Sequence, residues 1–256
     1  MMSDRPNRGA HIVLIIAFFV GLCASGPASS AQSMTDKAPL ATYGQLHGTW
    51  FNGKFIEELS TSHSLGNAVA RLSVDEPIWI RIDSTIESGR VQAGMGLSRT
   101  DTMVLMQLMV PRAGLNWGLG YVEQPSWMLS YDTQKGTYVA LTPLDSMEAA
   151  PIVMGKLPSK NPDPQFMLRR MVNASVLAGT WKSASGQKVS ITNDQTLTIN
   201  GDRIPYQLTF DDGGERIRIT STAGQPRSWT AGRKGSVLTL TPSTGQPLVL
   251  TPERKD

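Results

Sequence analysis

Cysteine is all but absent: Cys23 is the only one in 256 residues, and it lies in an N-terminal stretch that reads as a removable leader. A chain cut after Ala31 has no thiol. That excludes a disulfide scaffold, thiolate metal sites and a cysteine nucleophile. Histidine is nearly as scarce, with only His47 and His63 beyond the leader, and neither a Gly-x-Ser-x-Gly elbow nor a Walker loop occurs. Charge of one sign is also lacking. The formal net charge is +3, and removing the first 31 residues, with Arg5, Arg8 and Asp4, leaves about +2. No electrostatic footprint for nucleic acid is present. Long apolar runs are missing as well, apart from the 13 residues Ile12 to Ala24. At 1.5 Å per residue that run covers about 20 Å, short of a roughly 30 Å hydrocarbon core, so the mature chain reads as soluble, without a transmembrane segment.

What is there begins with that leader. Arg5 and Arg8 form a basic head, the apolar run follows, and Ser29-Ser30-Ala31 supplies the small residues of a cleavage site. Bulky Leu22 before Cys23 argues against lipidation at the cysteine. Residues 1–31 therefore read as a bacterial-type signal peptide and 32–45 as a short lead-in, which predicts a periplasmic or secreted protein.

The mature chain carries an internal duplication with matched ends. Leu46-His47-Gly48-Thr49-Trp50 returns as Leu177-Ala178-Gly179-Thr180-Trp181, and Val139-Ala140-Leu141-Thr142-Pro143 as Leu248-Val249-Leu250-Thr251-Pro252. Between those ends, short alternating runs are punctuated by turn chemistry such as Ser88-Gly89, Lys135-Gly136 and Asn200-Gly201. The pattern predicts a mainly β protein: two tandem antiparallel up-and-down β-barrels of about eight strands each, over 46–144 and within 163–252. In the first repeat the strands fall near Trp50, Val69 to Leu72, Ile78 to Ile82, Val91 to Gly96, Thr102 to Val110, Trp117 to Tyr121, Trp127 to Tyr131 and Thr137 to Leu141. In the second, Trp181, Val189, Ile191, Leu197, Ile199, Tyr206, Leu208, Ile217, Ile219, Trp229, Leu238, Leu240, Leu248 and Leu250 point inward. Residues 145–162, broken by proline, read as a linker. Asp163-Pro164 then starts a short helix that could close one end of the second barrel, and 253–256 form a tail.

With Gly-x-Trp opening each small antiparallel barrel, at Gly48 and Trp50 and again at Gly179 and Trp181, both repeats resemble the lipocalin-like superfamily. The resemblance implies that each tryptophan packs at the closed end beneath its barrel, and that the barrels bind rather than catalyse. The chain has no cysteine pair, no clear Thr-Asp-Tyr element in mid-barrel, and no closing arginine that can be placed from sequence. An eight-stranded barrel is just wide enough for its own side chains. The second repeat, rich in inward Trp, Tyr and Leu, is expected to be filled, leaving the first as host for a small apolar or amphiphilic ligand.

Candidate site residues follow from that choice. The segment from Asn52 to Asn67 has no counterpart in the second repeat, and an insertion after the first strand is expected at a barrel mouth, where loops carry specificity. Glu57, Glu58, His63 and Arg71 are its polar candidates for ligand binding, against the plainer reading of a solvated loop; Trp79, Trp117, Tyr121 and Trp127 are the aromatic ones, against the safer reading of core. The run Thr102 to Val110 breaks alternation and is apolar on both faces, so it reads as a strand whose outer side is covered, with a helical plug as the other option. Met103, Leu105, Met106 and Met109 there are candidates for partner contact, or for a homodimer, and with the insertion they carry the alternative function, a protein-contact role as an inhibitor or envelope assembly partner. Met103-x-x-Met106-x-x-Met109 also has a thioether spacing that suits Cu(I). A strand puts Met106 on the opposite face from the other two, and methionine fills irregular cores, so no metal and no cofactor are expected. Ser62-His63-Ser64 beside two glutamates does not assemble a nucleophile and base, because neighbours on a strand point apart; the chain reads as non-enzymatic.

Overall fold

The computed structural model describes residues 43–82, 90–97, 101–107, 117–121, 124–131, 138–146, 149–158, 163–211 and 213–253. Two closed antiparallel barrels of eight strands follow one another along the chain. The first is built from β1 (Gly48–Asn52), β2 (Trp79–Ile82), β3 (Arg90–Gly94), β4 (Asp101–Gln107), β5 (Trp117–Tyr121), β6 (Gln124–Tyr131), β7 (Tyr138–Pro143) and β8 (Ile152–Lys156). Each strand pairs with the next, and β8 returns to β1 with Trp50 opposite Lys156. The second runs from β9 (Gly179–Ser183) through β10 (Lys188–Ile191), β11 (Thr196–Ile199), β12 (Asp202–Phe210), β13 (Ile217–Ser221), β14 (Ser228–Lys234) and β15 (Val237–Pro242) to β16 (Leu248–Pro252). It closes with Pro252 opposite Trp181.

The alternation in the second repeat maps directly onto the barrel wall. Along β12, Ile204, Tyr206 and Leu208 are buried while Arg203, Pro205 and Gln207 face solvent. Asn200 and Gly201 both hold positive φ, 53° and 86°, the two-residue hairpin geometry that suits an Asn-Gly pair. Of the inward positions expected from sequence, Ile199, Trp229 and Leu248 are half-buried against the core and the others are fully buried. Ile204 and Ala231 join them.

The first barrel has the expected strand count with a different membership. Residues 145–162 are not a plain linker, since β8 lies within them and supplies Ile152 and Met154 to the interior. Five residues between Pro151 and Leu157 carry too short a pattern to declare a strand; what makes one is the pairing of β1 and β7, which would otherwise leave two open edges. Conversely, Val69 to Leu72 is not a strand. After β1 the insertion folds as α2 (Gly53–Ser62) and α3 (Leu65–Ala70), following a single turn, α1 (Tyr43–Leu46), at the start of the repeat. Asn52 caps α2 by accepting from the Lys54 amide at 2.9 Å, and Ser64 caps α3 by accepting from the Asn67 amide at 3.2 Å. Phe55, Ile56 and Leu59 then share one buried face, at helical rather than strand spacing.

The expected helix before the second barrel is α4 (Pro164–Val172), capped by Asp163, whose carboxylate accepts from the Gln165 amide at 2.9 Å. It continues as a π-helical turn, Asn173–Leu177. The Met-rich run is a strand over 101–107; the side chains of Met103, Leu105 and Met106, and all of Met109, lie outside the described residues.

Two apolar cores result. One fills the first barrel with Trp50, Ile80, Val91, Trp117, Leu119, Leu129, Leu141 and Met154. The other fills the second barrel and continues without a break through α4, α2 and α3 to the outer wall of the first, where Phe51, Ile78 and Trp79 lie. Gln165 on α4 adds a polar tie, donating to the Leu97 carbonyl at 3.1 Å. The helical insertion of the first repeat is thus the packing layer between the barrels.

Both Gly-x-Trp openings are built alike. Gly48 and Gly179 hold φ of 129° and 151°, a backbone state that disfavours any side chain. The Trp50 indole N–H donates to the Leu46 carbonyl at 2.8 Å, and that of Trp181 to the Leu177 carbonyl at 2.9 Å. Over each ring lies a cation, Lys156 at 5.0 Å and Arg233 at 5.2 Å. Burial lowers the pKa of both cations below the ordinary values for their types. Each tryptophan is thus buried, tied to the carbonyl four residues before it and covered by a cation, which in the second repeat is Arg233, a residue that sequence alone could not place.

Candidate functional site

The closed end of the second barrel is where the insertion arrives. α2 stops at His63, whose φ of 52° turns the chain sharply, and the His63 ring sets Nδ1 2.7 Å from the Ser175 carbonyl in the π-helical turn. A carbonyl oxygen only accepts, so Nδ1 carries the proton and donates. α3 then runs across the loop before β13. Gly214 there has φ +68°, and a Cβ on it would stand 2.9 Å from Leu65 Cγ, so a side chain would push the helix away.

Between these elements is a solvent-open cleft of about 530 Å³. Leu65, Gly66, Asn67, Val69 and Ala70 of α3, with its cap Ser64, form one wall, Gly213, Gly214 and Glu215 the other; Val176, Ile217 and Ala231 lie deeper, with Gly232, Arg233 and His63 completing the lining. Arg233 is half-buried. Its Nε donates to the Gly235 carbonyl at 3.0 Å, and one terminal nitrogen donates to the carbonyls of Val176 at 3.0 Å and Ser175 at 3.4 Å. Behind the cleft, Asn173 donates to the Thr192 carbonyl at 2.8 Å and accepts from the Tyr206 hydroxyl. Burial, with a smaller contribution from Asp194, pushes the Tyr206 hydroxyl well above its ordinary range, so it stays protonated as a donor.

The candidate residues read from sequence are dispersed. Glu57 and Arg71 are exposed on the insertion, and Glu58 is half-buried on α2. Trp79 is buried on the outer wall of the first barrel, whereas Trp117 and Trp127 belong to its interior. The Tyr121 side chain lies outside the described residues. Only His63 reaches the cleft. The insertion packs not at a mouth of its own barrel but on the second one, beside Val176 and Arg233. Arg233, Glu215 and the glycines around them carried no local signal; the one available hint was the Asp211-Asp212-Gly213-Gly214 loop, legible only as a turn.

The serines beside His63 have structural partners. Ser62 Oγ donates to the Glu58 carbonyl at 2.8 Å, and Ser64 Oγ is the cap of α3. Among the described residues no group of three or more His, Cys, Asp or Glu side chains comes together to hold a metal, and no helix is long and apolar enough to cross a membrane. In comparisons with known proteins the chain matches no family model, no curated protein and no solved structure.

Proposed function

We propose that this chain is an exported, non-enzymatic binding protein of the bacterial cell envelope, with two lipocalin-like barrels, that holds a small amphiphilic ligand. The observation that carries the reading is the cleft between α3 and the second barrel. Its volume of about 530 Å³ falls in the range of roughly 300 to 1,000 Å³ typical of small-molecule sites, and its lining is mixed, with Leu65, Val69, Val176 and Ile217 beside His63, Ser64, Asn67, Glu215 and Arg233. The first barrel is the weaker host. Of its inward side chains that are described, Trp50, Ile80, Leu119 and Leu129 are no more than 1% exposed, and Trp117 is 8% exposed. Export rests on the basic head, apolar run and Ser-Ser-Ala of the leader. The non-enzymatic reading is supported by Ser62, Ser64 and His63, each engaged in capping or backbone bonds.

Native mass spectrometry of the chain from an exporting host tests this, with Gly232→Leu as the control. A Cβ on Gly232 meets nothing within 4 Å and its φ is not in the left-handed region, so leucine extends into the cleft without strain. The expected result is an added mass of several hundred daltons on the wild type, lost in the variant while the melting temperature holds. A bare wild-type chain, or a mass retained by Gly232→Leu, would overturn the site.

A further inference from the structure

We infer that the cleft selects amphiphiles with a single anionic head, a carboxylate or a phosphate monoester, seated on Arg233 with the tail against Leu65 and Val176. The inference rests on the reading of this cleft as a ligand site. A guanidinium has five N–H donors in a planar fork. Here Nε and one terminal nitrogen are used on three carbonyls, and the second terminal nitrogen has no acceptor among the described residues. The acceptors are all neutral dipoles, and no ion pair among the described residues involves Arg233. Its charge is therefore held in place, partly desolvated and not neutralised, an arrangement that an anion completes with charge-assisted hydrogen bonds. The burial that lowers its pKa expresses the same deficit.

His63 adds a second polar group on the same side. Because Nδ1 donates to the Ser175 carbonyl that Arg233 also approaches, Nε2 is the nitrogen left over, without a partner among the described residues. It accepts when the ring is neutral and donates when protonated, so it tolerates a head that carries an O–H as well as one that does not. The apolar floor next to these two groups gives the tail a place to go. Glu215 also lines the cleft, on its exposed rim and outside any ion pair among the described residues. It opposes a negative head at a distance and through solvent, and so weakens the preference without reversing it.

The test is calorimetric titration of the full exported chain with four probes of one tail length: decanoate, decyl phosphate, decanol and decyltrimethylammonium, each below its micelle concentration. The two anions should bind at least about tenfold more tightly than the alcohol, with the ammonium weakest, as one charge-assisted contact implies. The tighter of the two anions identifies the head. Arg233→Gln should abolish the preference. Arg233 also braces the π-helical turn, so Glu215→Gln provides the independent reading: it should tighten both anions severalfold and leave decanol unchanged. If decanol matches decanoate, or Glu215→Gln leaves anion binding unaltered, the head selectivity is overturned while the cleft stands as a ligand site. If no probe binds and the native mass is bare, both fall.

Discussion

Gly94→Ala tests the layer that joins the barrels. Gly94 lies on β3 opposite Trp79 of β2, and the indole lies flat across the place where a side chain would be. An added methyl would stand 2.2 Å from Trp79 Nε1 and 2.3 Å from Cε2, where ordinary contacts begin near 3.4 Å. The ring would have to retreat by about 1.2 Å. It is rigid, 1% exposed and enclosed by the core of α2, α4 and the barrel wall, so it has no room to move. Overpacking of this kind costs about 1 to 3 kcal/mol, and a displacement larger than a bond-length adjustment puts it at the upper end. Losing the flexibility of glycine in the unfolded chain returns about 0.5 to 1 kcal/mol, since the backbone at Gly94 is not left-handed. The net expectation is a loss of about 2 kcal/mol, a large part of a total near 5 to 15 kcal/mol. Guanidinium unfolding followed by circular dichroism measures it as a lower midpoint at unchanged slope. Trp79→Leu makes the space the methyl needs, so Gly94→Ala/Trp79→Leu should be no less stable than Trp79→Leu alone. That is a coupling of about 2 kcal/mol in a double-mutant cycle. A Gly94→Ala variant within about 0.5 kcal/mol of wild type, or strictly additive effects, would refute the account of Trp79 as a fixed part of the shared core.

Trp181→Ala should cost about 3 to 5 kcal/mol, through the cavity and the loss of the contacts to Leu177 and Arg233, and be read as a fall in melting temperature; an unchanged melt would remove the closing role of the tryptophan. Tyr206→Phe leaves the Asn173 side-chain Oδ1 buried without its hydroxyl donor and should cost about 1 to 3 kcal/mol; a neutral result in denaturant unfolding would mean that Asn173 is satisfied another way. Because the core of the second barrel continues through the helical layer onto the outer wall of the first, wild-type unfolding followed by hydrogen exchange should show their central strands opening together; separate openings would contradict the shared layer.

The strands of the second barrel were legible because each buries one side against a single interior, so period-two alternation survives in the sequence. Tyr206, Leu208 and Ile217 are found where that alternation puts them. The first barrel was less so. Ile152 and Met154 are strand residues in five positions flanked by proline and loop, and their pairing partner, Trp50 to Asn52, lies about a hundred residues away. In the insertion, Val69 and Leu72 straddle Arg71 in a way that imitates a strand, while the signal for a helix was the capping by Asn52 and Ser64, an effect of backbone hydrogen bonds. Trp79 is core, but on the outer wall of its barrel, which the pattern does not show because a strand buried on both faces hides which side is the interior.

What the sequence by itself determined is the duplicated barrel and its closure: alternation sets the face of each strand, the Asn-Gly and Gly-rich turns set the hairpins, and Gly48 and Gly179 allow the backbone that brings each tryptophan under its barrel. These are local rules, complete within a few residues. The cleft is not local. His63 meets the Ser175 carbonyl across 112 positions of chain, and Arg233 reaches that carbonyl across 58. Only the docking of the first repeat's helices on the closed end of the second barrel brought them together, because burial of Phe55, Leu59 and Leu65 against that end costs less than leaving both apolar surfaces in water.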